Sequence, residues 1–163
     1  MNVLYQNRYS NIWGFDASES GIKIAKESFP EIQDRFEIHN AYNSKLPVSF
    51  PENYDLIISI EVIEHLYSPT SYLENVNEWL KSKGYLILTT PYHGYLKNIA
   101  ICLLNKFDSH VNPLQEEGHI KFFSKNTLFD LLKQSGLTPI KFYGSGRLPY
   151  LWKAMVVVAY KQL

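Results

Sequence analysis

Between Tyr54 and Leu66 an apolar run of strand type stops abruptly in ionisable side chains: Leu56-Ile57-Ile58-Ser59-Ile60 gives way to Glu61-Val62-Ile63-Glu64-His65. A nearly unbroken apolar segment of this length is the pattern of a strand covered on both faces, as in a parallel sheet. In an open α/β sheet, ligands and chemistry collect at the carboxyl ends of the strands. The segment therefore suggests both an architecture and a place to look for function.

The remaining elements fit that architecture. Residues 11–15 read as a strand ended by Asp16-Ala17-Ser18, with Ser18 as the N-cap of a helix that buries Ile22, Ala25 and Phe29 and stops at Pro30. Residues 35–39 alternate as a short strand, and 40–53 is a loop rich in Asn, Ser and Pro. Pro69 opens a second helix with Leu73, Val76 and Leu80 as its apolar stripe, and Gly84 reads as its stop. Residues 85–90 form the next strand, broken by Pro91; 94–107 reads as an apolar-leaning helix and 108–118 as a polar loop. Ser124 caps a helix through Gln134 with Leu128, Leu131 and Leu132 inward and Gly136 at its end. Residues 140–143 and 155–160 are the last strands, joined by a connection short enough to imply an antiparallel pair. Alternating strands and helices argue for a mostly parallel sheet with helices on both faces, in one domain over residues 1–163.

Bulk properties narrow the classes. Sixteen basic and sixteen acidic residues cancel, so nucleic acid is not an expected partner. Cys102 is alone and cannot form an internal disulfide, no apolar run is long enough to span a bilayer, and no signal-peptide pattern opens the sequence. A cytoplasmic location is the expectation.

The candidate functional residues follow strand ends. Asp16 is placed to accept hydrogen bonds from two ribose hydroxyls, or simply to serve the turn. Glu61, Glu64 and His65 stand in an i, i+3, i+4 relation and would share one face if Glu61 opened a helical turn. Carboxylates held close need a proton, a cationic ligand or a divalent metal. The plainer reading is a solvated helix start. His93 and His119 lie in segments expected on the same rim, and His110 reads as a loop residue.

Together, Gly14-Phe15-Asp16-Ala17-Ser18, Tyr54-Asp55-Leu56-Ile57, Glu61-Val62-Ile63-Glu64-His65-Leu66, Thr89-Thr90-Pro91 and Gly118-His119-Ile120-Lys121-Phe122-Phe123-Ser124 resemble the class I S-adenosylmethionine-dependent methyltransferases. The branch is that of ubiquinone-pathway O-methyltransferases. The resemblance implies a Rossmann-like sheet and S-adenosylmethionine as cofactor. It implies that Asp16 binds the ribose, that Ala17, Ala41 and Tyr42 border the adenine, and that Ile60 touches the amino-acid part. It further implies a divalent-metal group (Mg, Mn or Fe) of Glu61, Glu64, His65 and His119, in which His65 or His119 serves as base or ligand. Within 94–107, Leu96, Ile99, Ala100, Leu103 and Leu104 make an apolar face, with Lys97, Asn98, Asn105 and Lys106 elsewhere, and the plainer reading packs that face on the sheet or a neighbouring cap. The resemblance implies a small-molecule acceptor, lipophilic in this branch, for which the same face would be a lid or a peripheral membrane contact.

The same family carries a Gly-rich GxGxG turn before the Asp-bearing strand, and no glycine precedes Gly14 here. The resemblance thus implies a fold whose N-terminal strand and helix are missing, and weakened cofactor binding. It leaves two alternatives: a metal-dependent RNA 2′-O-methyltransferase, and a non-catalytic truncated remnant. The strand bearing Asp16 should not pair directly with the strand ending at Ile60.

Overall fold

The computed structural model describes Leu4, Tyr9 and residues 11–112, 114–116 and 118–162. The chain divides into two compact units, residues 1–52 and 53–163.

In the first unit, strands β1 (Gly14–Asp16) and β2 (Phe36–Ile38) pair in parallel, Gly14 opposite Phe36 and Asp16 opposite Ile38. Helix α1 (Glu19–Ser28) forms the connection between them. It begins where the sequence indicates, because Ser18 Oγ accepts from the Gly21 amide at 3.1 Å and satisfies one of the unpaired donors of the first turn. Ile22, Ile32 and Phe36 form a small core with Ala25 and Phe29 packed against it. Pro30 ends the helix and starts a 3-10 stretch, Pro30–Arg35.

The second unit runs β3 (Tyr54–Ile60), α2 (Pro69–Trp79), β4 (Leu80–Pro91), α3 (Tyr95–Leu103), α4 (Phe107–His110), α5 (Lys125–Gln134), β5 (Leu137–Ser145) and β6 (Ala154–Lys161). The sheet order is β3-β4-β6-β5; β3 is parallel to β4, and β6 is antiparallel to both β4 and β5. The C-terminal antiparallel pair is the one expected from its short connection. One face of the sheet is sealed: Leu86, Leu88, Met155 and Val157 are fully buried, as are Leu73 and Val76 of α2 and Leu128 and Leu132 of α5. Each such side chain contributes roughly 1.5–3 kcal/mol by leaving water. Lys161 Nζ donates to the carbonyls of Asn77 (2.6 Å) and Leu80 (2.9 Å), placing a cation at the negative end of α2. Among the described residues, no helix is long and apolar enough to cross a membrane.

β1 and β3 lie in separate sheets and share no ladder, as expected. The stretch in which a preceding strand would fall, residues 1–10, lies outside the described residues except for Leu4 and Tyr9.

Three expectations need correction. Among the described residues β3 is covered on one face only: Leu56, Ile58 and Ile60 are 42, 37 and 63% exposed, while alternation turns Ser59 toward α2, where it accepts from Tyr72 Oη at 2.8 Å. Gly84 is not a helix stop. It lies inside β4 beside a register shift, and a Cβ there would come within 2.9 Å of the Lys81 carbonyl and 3.1 Å of the Tyr54 carbonyl. The helix expected over 94–107 ends at Leu103, and Asn105 takes a left-handed conformation (φ 51°) before α4 begins. Its apolar face is also not packed inward, contrary to the plainer reading. Lys97 is buried (3% exposed), whereas Leu96, Leu103 and Leu104 face outward.

Candidate functional site

The exit from β3 is strained. Glu61 has φ 51°, a conformation that costs a non-glycine residue on the order of 1 kcal/mol or more. Its amide is shared between the carbonyl and Oγ1 of Thr89, both at 3.2 Å, while Thr89 Oγ1 donates back to Glu61 Oε1 at 2.8 Å. Ile60 lies opposite Thr89 in the ladder, so the end of β4 holds the end of β3 in this turn. Glu61 therefore does not open a helix; the short 3-10 turn starts only at Ile63.

That kink sends Glu64 inward. Its side chain is completely buried, and Thr90 Oγ1 donates to its Oε2 at 3.0 Å. Its backbone carbonyl accepts the amides of both Ile120 and Lys121 at 2.9 Å, which pins the segment carrying His119 to the carboxyl end of the sheet. His119 Nε2 stands 4.0 Å from Glu64 Oε1, and the His65 and His119 rings meet edge to face with centroids 4.9 Å apart. Glu64, His65 and His119 each present a potential ligand atom within 4.8 Å of the others. Glu61, the fourth member of the expected group, is outside it: its carboxylate is held by Thr89 and acts on Glu64 and His119 only through its charge.

Glu64 Oε1 is buried and has no hydrogen-bond partner among the described residues. An ionised carboxylate left so is costly, and burial, aided by the charge of Glu61, raises its pKa. Burial and the neighbouring His65 lower that of His119, which favours a neutral imidazole with a free lone pair. The group thus offers an orphaned carboxylate oxygen and two imidazoles to one point. That donor set suits a divalent ion or a shared proton.

A second pair of rings lies near the first. His93, after β4, meets His110 of α4 with centroids 5.2 Å apart, and Phe122 at 4.9 Å. His93 is 9% exposed, and its amide donates to the Phe123 carbonyl at 2.9 Å. Lys97 Nζ donates to the Tyr92 carbonyl at 2.6 Å and reaches the Lys153 carbonyl at 3.4 Å. Burial, then the charges of Lys97 and His110, push the His93 pKa down to about 4. Burial and Arg147 bring Lys97 down to about 8. Sequence reasoning placed Lys97 on a polar face and gave no role to Thr89 or Thr90. The one available signal for the threonines was their position at the end of a strand expected beside β3.

In the first unit, Asp16 ends β1, and its Oδ1 accepts the Ser18 amide at 2.9 Å, so it does serve the turn. Its side chain is nevertheless exposed. Ala41 and Tyr42 form the turn that follows β2, held by the Tyr42 amide on Asn40 Oδ1 and the Asn43 amide on the Asn40 carbonyl, both at 2.9 Å. Because β1 and β2 are parallel, Asp16-Ala17 and Ala41-Tyr42 emerge at the same end of this small sheet. Ile60 closes β3 in the other unit and is well exposed.

The family model described as methyltransferase domain matches residues 1–141. The chain belongs to that family. The ubiquinone biosynthesis O-methyltransferase of Ruegeria sp. (strain TM1040) is 30% identical over 152 residues, covering 88% of this chain and 58% of the relative. The mitochondrial ubiquinone biosynthesis O-methyltransferase of Schizosaccharomyces pombe is 28% identical over 130 residues, covering 77% and 46%. Among solved structures, the Burkholderia thailandensis 1,6-didemethyltoxoflavin-N1-methyltransferase has a TM-score of 0.70 at 14% identity, over 99% of this chain and 66% of that one. The Synechocystis PCC 6803 magnesium protoporphyrin IX methyltransferase has a TM-score of 0.65 at 13% identity, over 92% and 64%. Both were solved with S-adenosylhomocysteine bound. The chain spans about 58% of the length of the Ruegeria relative. These similarities place it among the class I S-adenosylmethionine-dependent methyltransferases, in the ubiquinone-pathway-like branch, with their Rossmann-like fold.

The site makes the protein acid-sensitive. His93 binds a proton in the unfolded chain near pH 6.5 but resists it in the folded chain down to about 4. Stability is therefore complete above that window and falls as pH drops through it, by an amount on the order of 2–3 kcal/mol. Urea titrations at pH 7 and pH 4.5 should show the loss, and His93→Gln should remove most of that difference; an identical pH dependence in the variant would refute the assignment.

Proposed function

We propose that the protein transfers a methyl group from S-adenosylmethionine to a hydroxyl of a small-molecule acceptor. The observation that carries this reading is the convergence of Glu64, His65 and His119 just past the carboxyl end of β3, in a chain of the methyltransferase family. The relatives' names, ubiquinone biosynthesis O-methyltransferase, support oxygen as the methylated atom. Nothing in the similarities above favours the RNA alternative.

The residues present fit the cofactor's ribose and adenine. The exposed Asp16 carboxylate can accept ribose hydroxyls while Oδ1 keeps its turn bond, and the Asn40-supported turn offers Ala41 and Tyr42 for the adenine side. When bound, S-adenosylmethionine supplies an electrophilic methyl carbon. The protein's contribution is orientation of the acceptor oxygen for in-line attack, and removal of its proton. His119, whose burial favours the neutral imidazole, takes that proton, with His65 beside it as the other candidate base. The orphaned Glu64 Oε1 also makes Glu64, His65 and His119 a fitting set for a divalent ion, which would act there as a Lewis acid on the acceptor hydroxyl.

The outward apolar side of α3 and the residues after it, with Leu103 81% and Leu104 64% exposed, supports a lipophilic acceptor reached through a lid or at a membrane surface.

Calorimetric titration with S-adenosylhomocysteine should give weak but saturable binding. Asp16→Ala should weaken it roughly tenfold or more, since a hydrogen bond to a charged group contributes about 1.5–3 kcal/mol; absence of binding by the parent chain would overturn the reading. Manganese or zinc should raise the melting temperature of the parent chain but not of His119→Ala. An ion-insensitive parent would leave the two histidines only the base role. Replacing Leu103 and Leu104 with Ser should abolish liposome binding without lowering the melting temperature, and unchanged binding would exclude the membrane contact.

A further inference from the structure

Two neighbouring hydroxyls of β4 treat the two acids at the exit of β3 differently. Thr89 and Thr90 are consecutive strand residues, so their side chains project to opposite faces of the sheet. Thr90 is fully buried on the sealed face, in the row of Leu86 and Leu88, and its Oγ1 donates to Glu64 Oε2 at 3.0 Å. Thr89 lies opposite Ile60 on the other face. Its Oγ1 donates to Glu61 Oε1 at 2.8 Å and accepts the Glu61 amide at 3.2 Å, which closes a ring of bonds through a residue with φ 51°. One hydroxyl fixes an acid beside the imidazoles; the other holds an acid away from them.

This sorting decides the number of carboxylates at the site. Glu64 contributes one buried, unpaired oxygen, 4.0 Å from His119 Nε2. Among the described residues, Glu64, His65 and His119 bring one carboxylate and two imidazoles to a common point. With Glu61 released, a second carboxylate would be available three residues from the first. The difference matters to an ion. Magnesium is a hard cation that takes oxygen ligands and is held through carboxylates. Imidazole suits zinc and iron, and two imidazoles with one carboxylate and open positions is a donor set of zinc and iron(II) centres.

We propose that Thr89 sets which ion this site accepts: by keeping Glu61 bonded on the opposite face, it leaves a nitrogen-rich set that selects zinc or iron(II) against magnesium. Thr90 has a separate task. It orients Glu64 and so sets how strongly any ion is held, not which one. Both are positioning residues that act through the acids. The assignment rests on the reading of Glu64, His65 and His119 as an ion site.

The test is direct binding of zinc and of magnesium, each alone, followed by calorimetry and by the shift in melting temperature at fixed pH and ionic strength. The parent chain should bind zinc more tightly than magnesium by on the order of a hundredfold. Thr89→Val keeps the branched shape that suits a strand and loses the hydroxyl. It should narrow that ratio roughly tenfold by strengthening magnesium binding. Thr89→Ser keeps the hydroxyl and should behave as the parent. Thr90→Val should weaken both ions by roughly tenfold and leave their ratio unchanged, as loss of a bond to a ligand does. Glu61 is exposed, so Glu61→Gln carries the decision should the Thr89 variant fail to fold. Alone, it should change zinc affinity by less than about threefold, the effect of one solvated charge nearby. In the Thr89→Val chain it should cancel the gain in magnesium binding. A parent-like ratio in Thr89→Val overturns the assignment of Thr89 and leaves the ion site standing, as does a loss of zinc binding in Glu61→Gln as large as that in Glu64→Gln. If the parent chain binds neither ion, the ion site and this proposal fall together, while the methyl-transfer reading still stands or falls on S-adenosylhomocysteine.

Discussion

Glu64 is the residue on which the second unit's rim depends. Three elements meet at it: the turn leaving β3, the end of β4 through Thr90, and the segment around His119 through two amides on one carbonyl. Each bond is ordinary by itself, worth about 1 kcal/mol net, but all three are made in a fully buried place where an unmade bond costs the whole desolvation penalty. The side chain is the exception. One carboxylate oxygen is satisfied and the other is not. An incompletely paired acid at so well anchored a position calls for an explanation, and the proposed ion or proton shared with the two imidazoles beside it is one.

The strained backbone of Glu61 has the same logic. A glycine at that position would relieve φ 51° at once, yet the chain carries a residue whose carboxylate can take the Thr89 hydroxyl. The turn is held by side-chain chemistry as well as by backbone bonds. Its product is a direction: Ile60 ends the strand facing outward, and four residues later Glu64 points in. A regular helical turn from Glu61 would have put both acids on one face, as the spacing suggested, and would have left their repulsion uncompensated.

What could be read from the sequence was what local chemistry decides. Ser18 and Ser124 cap helices because a hydroxyl reaches amides two or three residues on, and Pro30 stops a helix whatever lies elsewhere. The Asp16 turn and the convergence of His119 on His65 came from a pattern of motifs spread along the chain. What could not be read depends on partners distant in sequence. Gly84 was taken for a helix stop because part of its real requirement, the approach of the Tyr54 carbonyl in addition to that of Lys81, lies thirty residues away. Lys97 looked like a solvent residue because charge usually is; nothing local announces that the Tyr92 and Lys153 carbonyls will receive it. β3 looked doubly covered because apolar content does not say whether a strand lies inside a sheet or at its end.

The four histidines of the second unit show how one rim can serve two kinds of group. His65 and His119 sit against Glu64, whose unpaired oxygen suits a cation or a shared proton there. His93 and His110 sit against Lys97 and Arg147, which disfavour either. His119 lies at the junction: burial lowers its proton affinity, the neighbouring His65 and then Lys97 add to the lowering, and Glu61 opposes it, so the balance favours a neutral imidazole.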